Sequence, residues 1–556
     1  MQHPVSSLSA AGPGSVSGAD PKLLIALLLV ILCAGAARLF GLDHLLVWHD
    51  EVFTLLRVFG YRHDEVQAAI FGGQLLTPDE LLRFQRPDPA HTWADAFRAF
   101  AGHPEHAPLY YVLARLATAL PLDPVSAVRG VSAVFGILLI PAVYWLTREL
   151  FGRGLVPWIA AALVACSPLQ FLYAQEARQY ALWLLLTASS SAALAHAVRR
   201  DRRADWWLYG LFMTLGVYAH LLFVLTIPAH ALYGLLASRV SGAQTERLGR
   251  LAARSGVAQT GRLARRWGIA VGVSLMLFTP WLWVIATQPG RVGHFTHWMQ
   301  RPVGIDDLLA AWALHPTRIF VDLTPSPALW WSLLSVPLVW ALARGVRRAP
   351  RAAVWLLVAL ALAYIGVMLG PDLLLGGSRS LHARYALPAL LAIQILVAWV
   401  IGAAIAAPSG AWSRRSGLMA LALLVGLGGG SLLAIQRAET WSTKNFSARN
   451  ADIARVANAS VSTLIVASDS GVGLGELLSL AYHLDPRVRL WGQPWNQPLR
   501  LPTGFGTLIV LTPSNQLRDA IGHERLLTPL ADTWQWFARA PRRTTSDPPT
   551  APTQAN

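Results

Sequence analysis

Asp50 and Glu51, in the stretch Val47-Trp48-His49-Asp50-Glu51, are adjacent carboxylates just after the first long apolar run of the chain. A charged side chain costs about 2.5–3.5 kcal/mol at mid-membrane on insertion scales and less near the interface, so a carboxylate pair at such an edge is a candidate site. Three more polar groups stand at the ends of apolar runs. Glu105-His106-Ala107-Pro108-Leu109-Tyr110-Tyr111 mixes charge with aromatic rings. Ser167-Pro168, followed by Gln175-Glu176-Ala177-Arg178-Gln179-Tyr180, joins two apolar runs. Arg379, His382, Arg384 and Tyr385 precede another. A carboxylate can take a proton from a hydroxyl, and an arginine can hold a phosphate. Together they are the groups needed to transfer something from a phosphate-linked lipid. Blander roles are solvated loop carboxylates for Asp50 and Glu51 and interface anchors for Tyr110 and Tyr111.

The elements that must position these groups are membrane spans. Of 556 residues, 54% are hydrophobic and 14% charged, and the mean hydropathy is +0.43, a membrane composition. The formal charge of +16 comes from arginines grouped in short loops between apolar runs, which is a topology signal and not a nucleic-acid surface. Cys33 and Cys166 both lie inside apolar runs, so neither a disulfide framework nor a thiolate zinc site is expected. Lysine occurs only at Lys22 and Lys444, and the Arg- and Ala-rich composition suggests a GC-rich bacterial genome.

Apolar runs near 22–40, 126–147, 155–173, 178–198, 206–221, 222–238, 268–287, 328–344, 352–370, 385–406 and 417–436 predict about eleven spans of roughly 20 residues each. Segment 206–238 is too long for one span and short for two. Two short helices turning near His220 keep the flanking basic loops on one side. By the same logic 107–121 is expected as a helix lying on the membrane surface. The N-terminus is then cytoplasmic, and loop 41–125, turns 172–178 and 371–384, loop 288–327 and everything after 436 face outward.

The expected organisation is a disordered tail at 1–20, a membrane domain over 21–437 with its outward loop 41–125, a small soluble α/β domain over 438–540 and a disordered tail at 541–556. The run Gly471-Val472-Gly473-Leu474-Gly475 lacks the full spacing of a dinucleotide loop.

In order, the four polar groups resemble the motifs of the GT-C class of integral membrane glycosyltransferases, specifically bacterial relatives of protein O-mannosyltransferases (glycosyltransferase family 39) and of lipid A aminoarabinose transferases. That class opens its first outward loop with Asp-Glu, as at Asp50-Glu51. Its His/Lys-Pro-Pro-Leu-Tyr-Tyr motif is similar to His106–Tyr111, with Ala107 in place of the first proline. Its Ser-Pro and Gln-Glu-Ala-Arg-x-Tyr elements match Ser167-Pro168 and Gln175–Tyr180, and its Arg-Tyr-x-x-Pro matches Arg384–Pro388. The similarity spans roughly residues 22–400.

The resemblance implies an all-α polytopic fold and a polyprenyl-phosphate sugar donor used on the outer face of a bacterial inner membrane. It makes Asp50 the general base and Glu51 its orienting partner. His106, Arg178, Arg384 and Tyr385 bind the donor phosphate, and Glu105, Tyr110, Gln175, Glu176, Tyr180, Arg379 and His382 line the substrate site. One base opposite one leaving phosphate suits an inverting displacement. No cofactor is implied; a divalent metal, used by some of the class, is not indicated. The acceptor is a glycan, lipid or protein hydroxyl. The rival reading is a transporter, lipid-glycan flippase or ligase, which would carry internal repeats or charges at mid-membrane. A non-catalytic scaffold is a further alternative.

Overall fold

The computed structural model describes residues 20–246, 250–325, 329–407, 414–444, 446–469, 472–494, 497–511, 514–524, 527–530 and 538–539, with side chains omitted over 238–259 and at 344, 523, 524, 529, 538 and 539. Of the expected tails, only Asp20 lies inside the described residues. The chain divides into two compact units. The first is Met1–Phe40, His103–Tyr110 and Arg129–Arg437, and the second is Gly41–Gly102, Tyr111–Val128 and Ala438–Asn556.

The first unit is helical. Among the described residues, eight helices are long and apolar enough to cross a bilayer: Pro21–Leu39, Pro124–Phe151, Tyr180–Arg200, Thr260–Ala286, Leu329–Arg348, Arg351–Leu375, Ala383–Ala406 and Arg414–Arg437. A ninth is the pair Leu155–Ala165 and Pro168–Ala174, bent by 60°. Eight or nine segments thus meet that length, against about eleven expected, and 206–238 folds as expected into two helices, Arg203–Ala219 and Thr226–Glu246, with a break at His220. His220 leaves the helix with extended backbone, and its Nδ1 accepts the Leu222 N–H at 3.2 Å. The stretch between the expected spans 222–238 and 268–287 is helical wherever described, within Thr226–Glu246 and Arg250–Ala286. Leu109–Ala117 has nine residues, about 14 Å of helix and far short of a hydrocarbon core.

Polar residues join these helices where apolar packing alone would not discriminate. His230, fully buried, meets Ser191 Oγ through Nε2 at 3.0 Å and Tyr209 OH through Nδ1 at 3.2 Å. The Trp267 indole N–H donates to the same Tyr209 oxygen at 3.1 Å. Three helices are thereby tied to Tyr180–Arg200 and to one another.

The second unit carries a sheet ordered β1-β3-β2-β4-β6-β5, with β1 Leu75–Leu76, β2 Thr463–Ser468, β3 Arg489–Gln493, β4 Thr507–Leu511, β5 Thr528–Pro529 and β6 Ala538–Arg539. Strand β2 pairs in parallel with β3 and β4, and every residue of β2 and β4 is buried. Such continuous apolar runs belong to the middle of a parallel sheet. Its edge strand β1 comes from the first loop and pairs antiparallel with β3. The first loop and the C-terminal segment, read as separate regions, thus build one sheet.

Candidate active site

The turn bearing Gln175–Tyr180 exists because a helix is interrupted. Pro168 has no N–H to continue Leu155–Ala165 and holds Ser167 extended, at ψ 117°. The break leaves the last carbonyls of that helix without intrahelical donors, in apolar surroundings where each would cost several kcal/mol unmet. Arg38 donates from Nη1 to the Ala165 carbonyl at 2.9 Å and from Nη2 to that of Val164 at 3.0 Å. Gln394 donates to the Leu163 carbonyl at 2.9 Å while accepting from Gln170 at 2.8 Å. Gln175 in turn caps the first span, donating to the Phe40 carbonyl at 2.8 Å.

Within the first unit the second and third sequence groups meet. Gln179 Nε2 lies 3.4 Å from His106 Nδ1. Tyr110 OH and Ser132 Oγ are 2.8 Å apart, and Ser132 donates to the Arg178 carbonyl at 3.1 Å. Tyr110 and Tyr111 are fully buried, so neither is an interface anchor. Glu105 Oε1 is 3.2 Å from His103 Nδ1 and 3.7 Å from His106 Nε2.

The fourth group joins through Tyr173, which lies within electrostatic reach of Glu176, Arg384, Tyr180 and Arg318. Arg178 and Arg384 are both buried, at 5% and 4% exposure. The Arg178 guanidinium stands 5.8 Å from the Tyr180 ring, and that of Arg384 5.3 Å from Tyr385 and 6.0 Å from Trp298. Each guanidinium is thus nearly buried beside an aromatic ring, a setting in which a charge interacts more strongly than at a wet surface.

Arg379 is engaged otherwise. Its Nη1 donates to Asp372 Oδ1 at 2.8 Å, and the other oxygen of that fully buried carboxylate accepts the Ser380 N–H at 2.7 Å. This pair closes the turn ahead of Arg384. Gly377 completes it at φ +153°, where a Cβ would fall 2.5 Å from Asp372 Oδ1 and 2.9 Å from the Met299 carbonyl. His315 Nε2 donates to the Ser380 carbonyl at 3.0 Å. His382 lies edge-on to Trp298, with centroids 5.2 Å apart.

Asp50 and Glu51 belong to the second unit, in the first turn of helix His49–Phe59. They are not equivalent. Glu51 is fully buried, and its Oε2 accepts from Lys444 Nζ at 2.8 Å and from the Trp48 N–H at 3.4 Å. Asp50 is partly exposed. The His49 N–H donates to Ser447 Oγ at 2.9 Å, and Ser447 donates to Glu476 Oε1 at 2.7 Å. Gly471 lies outside the described residues. Gly473 and Gly475 are packing glycines, since a Cβ on Gly475 would fall 2.3 Å from His49 Nδ1 and one on Gly473 2.3 Å from the Ser468 carbonyl.

Residues 105–252 match the family described as dolichyl-phosphate-mannose-protein mannosyltransferase. No curated protein is significantly similar in sequence. Among solved structures, ArnT from Cupriavidus metallidurans in the apo state matches with a TM-score of 0.50 at 16% identity, covering 93% of this chain and 97% of that one. The same ArnT bound to undecaprenyl phosphate matches with a TM-score of 0.49 at 15% identity, covering 96% and 100%. The fold is that of ArnT.

Several residues that shape this chain were absent from the sequence reading. Arg38 and Gln394 cap the broken span, Asp372 holds Arg379, and Lys444 and Glu476 grip the start of the Asp50 helix. One signal was available for Lys444. In a chain that otherwise uses arginine, it is one of two lysines.

Proposed function

We propose that this protein transfers a sugar from a polyprenyl-phosphate donor to an acceptor hydroxyl on the extracytoplasmic face of a bacterial inner membrane. The observation that carries the reading is that, in the first unit, Tyr173 stands within electrostatic reach of Glu176 and Arg384 while Gln179, next to the buried Arg178, lies against His106, within and beside the stretch similar to mannosyltransferases that use a lipid-phosphate sugar. Buried guanidiniums beside aromatic rings suit a lipid phosphate, whose charge grows as the sugar departs. In the proposed reaction the acceptor oxygen attacks the anomeric carbon and the bond from that carbon to the phosphate oxygen breaks. Asp50 takes the hydroxyl proton, and Arg178 and Arg384, with His106 and Tyr385, hold the lipid phosphate released. One displacement inverts the anomeric centre. Glu51 orients Asp50. Glu105, Tyr110, Gln175, Glu176, Tyr180, Arg379 and His382 shape the surrounding site, Arg379 through its ion pair with Asp372.

The test is transfer of radiolabelled sugar from polyprenyl-phosphate mannose, glucose, arabinose and galactose by the purified protein, with Asp50→Asn beside wild type. Loss of a general base lowers the rate by about 10²–10⁴-fold. Incorporation that survives Asp50→Asn undiminished removes Asp50 from the chemistry. Absence of transfer from every donor by well-folded protein counts against the donor class.

A further inference from the structure

The C-terminal segment grips the stretch carrying Asp50. The Leu46 N–H donates to the Glu439 carbonyl at 2.9 Å, and the Val47 carbonyl accepts from Ser479 Oγ at 2.6 Å. The Trp48 ring lies 5.9 Å from Lys444 Nζ. His49 is held through its N–H by Ser447 and stands 3.5 Å from Glu476 through Nδ1. Glu51 receives the Lys444 ammonium at 2.8 Å, with the two side chains 0% and 2% exposed. These contacts fall on both sides of Asp50 and come from two stretches, 439–447 and 476–479, between 393 and 432 residues along the chain.

A fully buried carboxylate next to the candidate base is costly unless its charge is met, and Lys444 meets it. The same Glu51 oxygen takes the Trp48 N–H, so the ion pair also closes the first turn of the helix on which Asp50 sits. We propose that Lys444 is a positioning residue for Asp50, acting through Glu51, and that the C-terminal segment is thereby an obligatory part of the catalytic apparatus. The proposal rests on the reading of Asp50 as base. Lys444 touches no substrate in it. A misplacement of about 1 Å at a reacting group can cost about 100-fold in rate, and the proposal assigns donor binding to the arginines of the first unit and not to this pair.

The experiment compares full-length wild type, Lys444→Arg, Lys444→Met, Glu51→Gln/Lys444→Met and Asp50→Asn in lipid nanodiscs. Transfer kinetics and amide hydrogen exchange over residues 46–55 are read on each. Lys444→Met is expected to lower kcat by about 100-fold while donor KM stays within about twofold. Because that variant strands a buried charge, the double variant guards against a folding artefact. Its neutral pair is expected to restore monodisperse, stable protein, yet with kcat still at least about 10-fold low and faster exchange over 46–55. Lys444→Arg keeps the charge and is expected to stay within about threefold of wild type. Wild-type kcat in the folded double variant, a change in KM alone, or unaltered exchange over 46–55 overturns the proposal. If Asp50→Asn proves fully active, the base assignment has failed separately, and the exchange data alone decide whether Lys444 holds the helix start.

Discussion

His315 is a place where protonation is expected to work against folding. It sits in helix Ile305–Arg318, outside the spans, at 3% exposure, with Nε2 donating to the Ser380 carbonyl. Burial lowers its pKa from 6.5 to about 4, the bond to Ser380 opposes this, and the Arg318 charge adds to the lowering. The folded protein therefore keeps the ring neutral at pH values where the unfolded chain protonates it. Above pH 6.5 both states are neutral and nothing is lost. As pH falls from 6.5 toward 4 the unfolded state binds more protons, so stability falls, and below 4 the loss is complete. A lowering of about 2.5 units corresponds to about 3 kcal/mol in full, and roughly 2 kcal/mol of it is lost between pH 7 and pH 5. Gln at this position presents a donor to Ser380 but does not titrate. Unfolding free energies of wild type and His315→Gln, from SDS titrations at pH 7 and pH 5, should differ by about 2 kcal/mol in their pH dependence, wild type losing more. Parallel losses in the two proteins would refute the reasoning.

Asp372→Ala removes the acceptor for both Arg379 and the Ser380 N–H. A destabilisation of about 3–5 kcal/mol is expected for breaking a buried pair, read as faster tryptic cleavage after Arg379. Gly475→Ala forces a methyl toward the His49 ring, which Phe53 and Phe446 flank at 5.0 and 5.3 Å. Overpacking of this kind costs about 1–3 kcal/mol, measurable as a lower denaturation midpoint. An unchanged midpoint would mean that the ring moves aside freely.

What local sequence determines here is the set of elements. Apolar runs near 20 residues mark the long helices because a bilayer demands that length, and Pro168 marks a helix break because it carries no N–H. The break at His220 was legible from segment length and loop charge alone. The polar groups at helix ends were legible too, because such residues are costly inside apolar runs. Their partners were not. Arg38 and Gln394 read as an ordinary helix-end cation and one amide in an apolar run, until the fold brings both to the open carbonyls of a helix 125 or more residues away. In sequence Arg379 reads as lining the substrate site, and only the fold shows its ion pair with Asp372. Asp50 and Glu51 read as base and orienting partner, but what holds Glu51 was not legible. Successive helical residues point in different directions, so one turns to Lys444, 393 positions from Glu51, and the other stays partly open. Hydropathy and helix-breaking act over a few residues and can be read along the chain; which buried charge is met, and by what, depends on distances that only tertiary packing creates.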